Sequence, residues 1–142
     1  MTTRLNPYIS FPGTARDAME FYKSVFGGEL TISTFGDMPA PSDGPGPDPN
    51  GVMHAQLESP SGFFLMASDV PPGMPHNPGD NISISLSGDE GDQLREYWST
   101  LSGSGKVVMP LETQMWGDEF GMCVDQFGIT WMVNISGPGN QA

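Results

Sequence analysis

The chain has 142 residues, enough for one ordinary domain, of which 37% are hydrophobic. Its formal net charge is −12 at pH 7, and its five basic side chains are too few to bind nucleic acid or an anionic membrane surface. No apolar run approaches the ~20 residues of a membrane span, and the first ten residues, MTTRLNPYIS, contain no hydrophobic signal-peptide core. The lone Cys123 excludes an internal disulfide or a thiolate zinc cluster. We therefore expect a soluble cytoplasmic protein.

The first elements in chain order are a strand, a helix and a second strand. Residues 5–11 alternate in polarity and predict a strand, which Pro12-Gly13 ends. Thr14 then opens a helix with Asp17 as its capping-box partner, Gly27-Gly28 stops it, and residues 29–35 form the next strand. The apolar side chains of this helix share one face: Ala18, Met19, Tyr22, Val25 and Phe26.

A proline-rich stretch follows, from Gly36 to Asn50. Its five prolines and three acidic residues leave almost nothing to bury, so it predicts neither strand nor helix. We expect residues 37–50 to be the most mobile part of the chain, as either a disordered loop or a lid over a cavity.

The remaining elements are predicted as a hairpin, a connector, and a second set of strands and one helix. The second helix is indicated by the apolar face of Leu94, Tyr97, Trp98 and Leu101, and it ends at Gly103 and Gly105. The predicted ranges are a hairpin at 52–58 and 63–68, a connector at 70–80, strands at 81–86 and 106–111, and a closing hairpin within 116–135.

The two hairpins resemble each other residue by residue. Residues 62–68, GFFLMAS, align with residues 128–134, GITWMVN, glycine on glycine and methionine on methionine. Each half therefore reads βαβββ, and the predicted fold class is α+β with a mostly antiparallel sheet. We expect one domain over residues 1–142, with module 1 at about 4–69, the connector at 70–80 and module 2 at about 81–136.

Several short segments stand out along the chain. They are Pro7-Tyr8-Ile9, Phe21-Tyr22, Phe26-Gly27-Gly28, Met53-His54-Ala55, Met66-Ala67-Ser68-Asp69, Met109-Pro110-Leu111, Trp116-Gly117 and Phe120-Gly121-Met122. In their order and spacing these segments resemble the vicinal oxygen chelate superfamily of glyoxalases, bleomycin-resistance proteins and dioxygenases, and within it the PhnB-like branch, often labelled demethylubiquinone methyltransferase-like. The resemblance covers residues 4–136 and implies a cupped sheet that encloses a cavity and is completed by a homodimer.

The resemblance also allows a test for the superfamily's metal site. Its four ligand positions fall on Pro7, Met66, Asn81 and Met132. Proline offers no donor atom and a thioether is a poor ligand for a hard divalent ion, so we expect neither a metal nor another cofactor. The methyltransferase label is also not expected to describe the chemistry, because the glycine pairs end helices instead of opening a Rossmann phosphate loop.

The candidate site residues come from the strands and their ends. Alternation places about half of the methionines and aromatic residues in the core and the other half toward the cavity, where they suit an apolar or aromatic small molecule. We expect Trp116 and His54 to line one cavity with Phe120 or Met122 beside them, since His54 and Phe120 each lie eight residues before a turn glycine. The predicted ligand-binding residues are Tyr8, His54, Met66, Trp116, Phe120, Met122 and Met132.

Three functions remain open at this point. The first is a metal-free small-molecule-binding protein. The second is an enzyme that uses His54 or Glu112 as a general base, or a metal at non-standard positions. The third is a structural or interaction module whose cavity is filled by its own side chains. Asp69 and Asp125 are expected to shape turns instead of acting as catalytic acids.

Overall fold

The computed structural model of the chain describes residues 3–37, 48–71 and 73–138. It divides into two compact units, Met1–Pro78 and Gly79–Ala142, with the boundary inside the predicted connector. The predicted mobile loop at 37–50 falls largely on residues 38–47, which lie outside the described residues. Neither of the two helices in the described ranges has the length and apolar character required to cross a membrane.

The first unit contains one helix and a four-stranded mixed sheet. Its strands lie in the order β1-β4-β3-β2, with β1 parallel to β4 and the other two pairings antiparallel. The elements are β1 (Tyr8–Phe11), α1 (Ala15–Phe26), β2 (Glu29–Thr34), a 3-10 turn (Phe35–Asp37), β3 (Val52–Glu58) and β4 (Phe64–Asp69).

The second unit repeats this plan. The strand order is β5-β8-β7-β6, again with one parallel pairing (β5 with β8) and two antiparallel pairings. The elements are β5 (Ile84–Gly88), α2 (Gly91–Gly103), β6 (Lys106–Thr113), β7 (Glu119–Val124) and β8 (Thr130–Ile135).

Each unit buries one face of its sheet. In β4 and β8 every second residue is buried, as a strand period of two requires when one face is covered. The buried side chains of α1 are Ala15, Ala18, Met19, Tyr22 and Phe26, and those of its sheet include Phe11, Ala55, Leu57, Leu65 and Ala67. In the second unit Leu94, Tyr97 and Leu101 of α2 are buried, together with Leu86, Cys123, Trp131 and Val133.

The internal repeat is confirmed at the hairpin turns. Ser59 and Asp125 hold equivalent places: each pairs its backbone N–H with the carbonyl four residues on and accepts the N–H of the turn glycine three residues on. The turn glycines, Gly62 and Gly128, have φ of +90° and +88°, a region that side chains with a Cβ rarely enter. The predicted α+β fold of two βαβββ modules is therefore confirmed.

Three local predictions are wrong. The first strand begins at Tyr8 instead of Leu5, and the first strand of the second unit is Ile84–Gly88 instead of 81–86, so Asn81 precedes it. The predicted capping box is also absent, because Thr14 makes no side-chain cap. The carboxylate of Asp69, a residue 54 positions away, accepts the Ala15 N–H at 2.9 Å in its place.

Candidate functional site

Each sheet has a second face, turned away from the helix of its own unit, which we call the helix-distal face. Residues that stand opposite each other in register share a face, so the strand pairings identify its members. In the first unit they are Tyr8, Ser10, Glu29, Thr31, Ser33, His54, Gln56, Glu58, Phe64, Met66 and Ser68. In the second unit they are Ser85, Ser87, Lys106, Met109, Glu112, Phe120, Met122, Val124, Thr130, Met132 and Asn134.

The first unit brings together three of the predicted ligand-binding residues. Tyr8 stands opposite Met66 across the parallel β1/β4 pair. The rings of Tyr8 and His54 lie 5.9 Å apart between centroids, tilted by 38°. His54 and Met66 are half-buried and Tyr8 is 50% exposed. The helix-distal face of this unit therefore presents a phenol, an imidazole and a thioether side by side.

The second unit brings together three more. Met122 stands opposite Met132, and Phe120 lies one residue pair further along, opposite Asn134. All three predicted side chains are half-buried. Glu112, the predicted general base of this half, is exposed on the edge strand β6 opposite Phe120.

Met109 belongs to the same group, although the predicted ligand-binding set omits it. It stands opposite Met122 and is 44% exposed. The pairing of β6 with β7 shifts register between Val107 and Met109, and again between Met109 and Glu112. These irregularities break the simple alternation along β6, so sequence pattern alone could not assign Met109 to a face.

Trp116 lies in the loop between β6 and β7, outside the strand ladder. The Gly117 N–H donates to the Gln114 carbonyl at 2.9 Å, and the Gln114 N–H donates to the Asp118 carbonyl at 2.7 Å. Trp116 is 54% exposed at the tip of this loop. Trp116 and His54 belong to different units, and a cavity shared by the two stays a prediction.

The donor set at the superfamily's metal positions does not suit a hard divalent ion. Tyr8, not Pro7, stands opposite Met66, and Ser85, not Asn81, stands opposite Met132. A phenol, a hydroxyl and two thioethers lack the imidazole and carboxylate groups that such ions prefer. Within residues 3–37, 48–71 and 73–138, His, Cys, Asp and Glu side chains form no group of three that could hold a metal.

Two buried carboxylates have structural partners on both oxygens. Asp69 accepts the Ala15 N–H with Oδ1 and the Val52 N–H with Oδ2, at 2.9 and 2.8 Å. It therefore joins the start of α1 and the start of β3 to the end of β4, which is more than the turn-forming role predicted from sequence.

Asp125 organises the β7–β8 turn and anchors a core side chain. Its Oδ1 accepts the N–H groups of Phe127 and Ile129, and its Oδ2 accepts the indole N–H of Trp131 at 2.8 Å. The neighbouring thiol of Cys123 is fully buried, and burial, followed by the charge of Asp125, raises its pKa to about 11. The thiol is therefore neutral and unreactive at physiological pH.

Two of the cavities bordered by described residues lie within single units, and the predicted ligand-binding residues line neither of these two. A cavity of about 350 Å³ in the first unit is bordered by Arg16, Asp17, Phe35 and Asp69. A cavity of about 510 Å³ in the second unit is bordered by Asp92, Arg95, Thr113 and Glu119. Arg95 forms ion pairs with Glu119 and Asp92, and the hydrogen bond to Glu119 raises the pKa of the guanidinium.

Comparison with known proteins gives consistent matches. The family described as 3-demethylubiquinone-9 3-methyltransferase matches residues 3–134. The crystal structure of protein PA1353 from Pseudomonas aeruginosa is 38% identical, with a TM-score of 0.81, over 94% of this chain and 98% of that one. The PhnB protein of Bacillus cereus is 24% identical, with a TM-score of 0.73, over 94% of this chain and 100% of that one. A glyoxalase/bleomycin resistance protein/dioxygenase domain from Frankia sp. EAN1pec shares the fold at 10% identity and a TM-score of 0.66, over 99% of this chain and 96% of that one.

Proposed function

We propose that the chain, which belongs to the 3-demethylubiquinone-9 3-methyltransferase family and shares the fold of glyoxalase/bleomycin resistance/dioxygenase proteins, binds a small apolar or aromatic molecule without a metal. The proposed binding surface of each unit is its own helix-distal face. The contacting side chains are Tyr8, His54 and Met66 in the first unit and Phe120, Met122 and Met132, with Trp116 from the loop, in the second.

One observation carries this proposal: the helix-distal faces hold rings and thioethers at adjacent cross-strand positions. A face that served only as a solvated surface would carry charged and small polar side chains at these positions. Met122 and Met132 are instead half-buried side by side, with Phe120 next along the strand. Thioethers adapt their shape and rings stack, so such a face suits a flat apolar ligand.

Methyl transfer of the Rossmann type is not part of the proposal. That fold binds its cofactor at the carboxyl ends of a parallel, doubly wound sheet, where a glycine-rich loop opens a helix. Each described sheet here is mixed and four-stranded, with a single helix on one face. The family match therefore indicates the fold, while the proposed ligand class follows from the side chains on the helix-distal faces.

An enzyme is the second candidate, and the Tyr8–His54 contact favours it. The phenol and the imidazole both carry exchangeable protons, and their rings share one face 5.9 Å apart. His54 would act there as the general base on a bound molecule. His54→Gln removes this base while keeping a polar side chain. Loss of turnover with retained ligand binding would support an enzymatic function. Weaker ligand binding alone would support a binding protein.

We also propose a homodimer. The edge strand β6 exposes Val107 and Val108 to 45% and 54%. An apolar edge with open backbone groups is a surface that a second copy can cover. Sedimentation at tens of micromolar tests this, and a monomer at that concentration contradicts it.

The binding proposal is tested with the neutral fluorophore N-phenyl-1-naphthylamine, whose emission rises in apolar sites. We expect saturable binding to the native chain, weakened about fivefold to tenfold in Met122→Ala and in Met66→Ala, since each removes part of the ring-binding surface. Met115→Ala is the matched control, because Met115 is 98% exposed in the β6–β7 loop. Absence of saturable binding, or equal affinity in all four proteins, contradicts the proposal.

A further inference from the structure

We propose that three methionines of the second unit, Met109, Met122 and Met132, form a binding site for a soft monovalent metal ion, Cu(I) or its analogue Ag(I). They occupy one cross-strand row: Met109 stands opposite Met122, and Met122 stands opposite Met132. We call these residues the thioether row. Met122 and Met132 also belong to the proposed organic-ligand surface, so the ion and such a ligand would compete for them, but the metal proposal does not depend on the binding of an organic ligand.

The spacing of the row allows the three sulfurs to meet. Side chains directly opposite on antiparallel strands have Cβ atoms ~5 Å apart. A trigonal site with metal–sulfur bonds of ~2.3 Å requires sulfur atoms ~4 Å apart. Methionine has three rotatable bonds, so the outer side chains, Met109 and Met132, can lean toward the central Met122 without movement of the backbone.

The chemistry of the row selects the metal. Thioether sulfur is a soft, neutral donor that favours Cu(I) over hard divalent ions. Met109 is 44% exposed, so an ion can reach the row, while Met122 and Met132 are half-buried and restrict its hydration. A site of three thioethers therefore takes a soft monovalent ion and leaves Zn²⁺ and Mg²⁺ in solution.

The internal repeat supplies a control within the same chain. The equivalent row of the first unit is Thr31, Gln56 and Met66, paired in the same order on the equivalent strands. One thioether beside a hydroxyl and an amide is not a soft-metal site. The fold alone therefore does not create the proposed site, because the same backbone arrangement carries different donors in the other unit.

The experiment titrates the full chain, labelled with ¹³C at the methionine methyl groups, with silver nitrate in chloride-free buffer. We expect one Ag(I) per chain and shifts of the Met109, Met122 and Met132 methyl signals, with no shift from Zn²⁺. Calorimetry of Met122→Leu should show affinity at least about tenfold weaker, since even groups outside the coordination shell change metal affinity by 10–100-fold. Met115→Leu, which changes an exposed methionine of the same unit, should bind as the native chain does.

Leucine preserves the size and apolar character of methionine, so these variants separate coordination from packing. Binding that survives in the triple variant Met109→Leu/Met122→Leu/Met132→Leu would assign silver to donors outside the thioether row and overturn the proposal. Equal shifts at Met66 and at the row, or no binding to the native chain, would overturn it as well. The methyl shifts of the native chain decide the question even if a variant fails to fold. Binding of silver and of N-phenyl-1-naphthylamine can each succeed or fail without the other.

Discussion

Replacement of Asp125 by serine should destabilise the second unit by a predictable amount. Asp125 is 3% exposed and its carboxylate accepts the N–H groups of Phe127 and Ile129 and the indole N–H of Trp131. Serine is the residue that the first unit uses at the equivalent place, where the Ser59 Oγ accepts the Phe63 N–H at 3.1 Å.

The magnitude follows from the groups that lose their acceptor. Serine at position 125 can still accept the Ile129 N–H, as Ser59 does for its own turn. It is too short to reach the indole of Trp131, which is 1% exposed, and a buried donor without a partner costs ~1–3 kcal/mol. Loss of a charged acceptor for the Phe127 N–H adds ~1 kcal/mol, which gives a total of roughly 2–4 kcal/mol.

Urea unfolding followed by far-UV circular dichroism measures this cost. The comparison requires that the slope of unfolding free energy against urea concentration is the same in both proteins. Trp131→Phe provides the control, because it removes the indole N–H. In that background Asp125→Ser should cost ~1–2 kcal/mol less than in the native chain. A cost below ~0.5 kcal/mol in the native chain, or an equal cost in both backgrounds, would refute the assignment of Asp125 as a buried anchor.

Three further outcomes are expected. Gly105→Ala places a Cβ 2.0 Å from the Val124 carbonyl oxygen, so it should lower the free energy of unfolding in urea by ~3 kcal/mol or more. Gly103→Ala is the control: no atom lies within 4 Å of its added Cβ, so it should be neutral or stabilising. The Cys123 thiol has a pKa raised to about 11, so the folded state retains its proton while the unfolded state ionises near pH 9. The free energy of unfolding should therefore fall by roughly 2 kcal/mol between pH 9 and 11, and Cys123→Ala should lack that part of the fall. Trp116→Ala should weaken binding of N-phenyl-1-naphthylamine but lower the melting temperature little, because Trp116 is 54% exposed. A loss of ~3–5 kcal/mol in the free energy of unfolding would instead identify Trp116 as a core residue.

Local pattern predicted the elements because their causes are local. Residues 52–58 were predicted as a strand and form β3 with those bounds, since alternation and flanking turn residues act over a few positions. The match of Gly62 with Gly128 predicted two βαβββ modules, because a left-handed turn position favours glycine in each hairpin.

Capping and strand register depended on residues far apart in the chain. Thr14 has the right chemistry for an N-cap, but Asp69 supplies the acceptor from the end of β4. Asn81 was assigned to a strand that begins three residues later, at Ile84. Pairing with β8 fixes that strand, and the sequence near Asn81 carries no signal of its partner.

The sequence by itself determined the class of side chain available for a site, and the tertiary structure decided which of them meet. Alternation divides each strand into two faces, but a shift of one residue exchanges them, so only the pairing of the strands identifies the face turned away from the helix. Tyr8 and His54 are brought into ring contact by β1, β4 and β3 together. Met109 stands opposite Met122 because the β6/β7 pairing shifts register between Val107 and Met109, and the alternation of β6 by itself does not mark that shift.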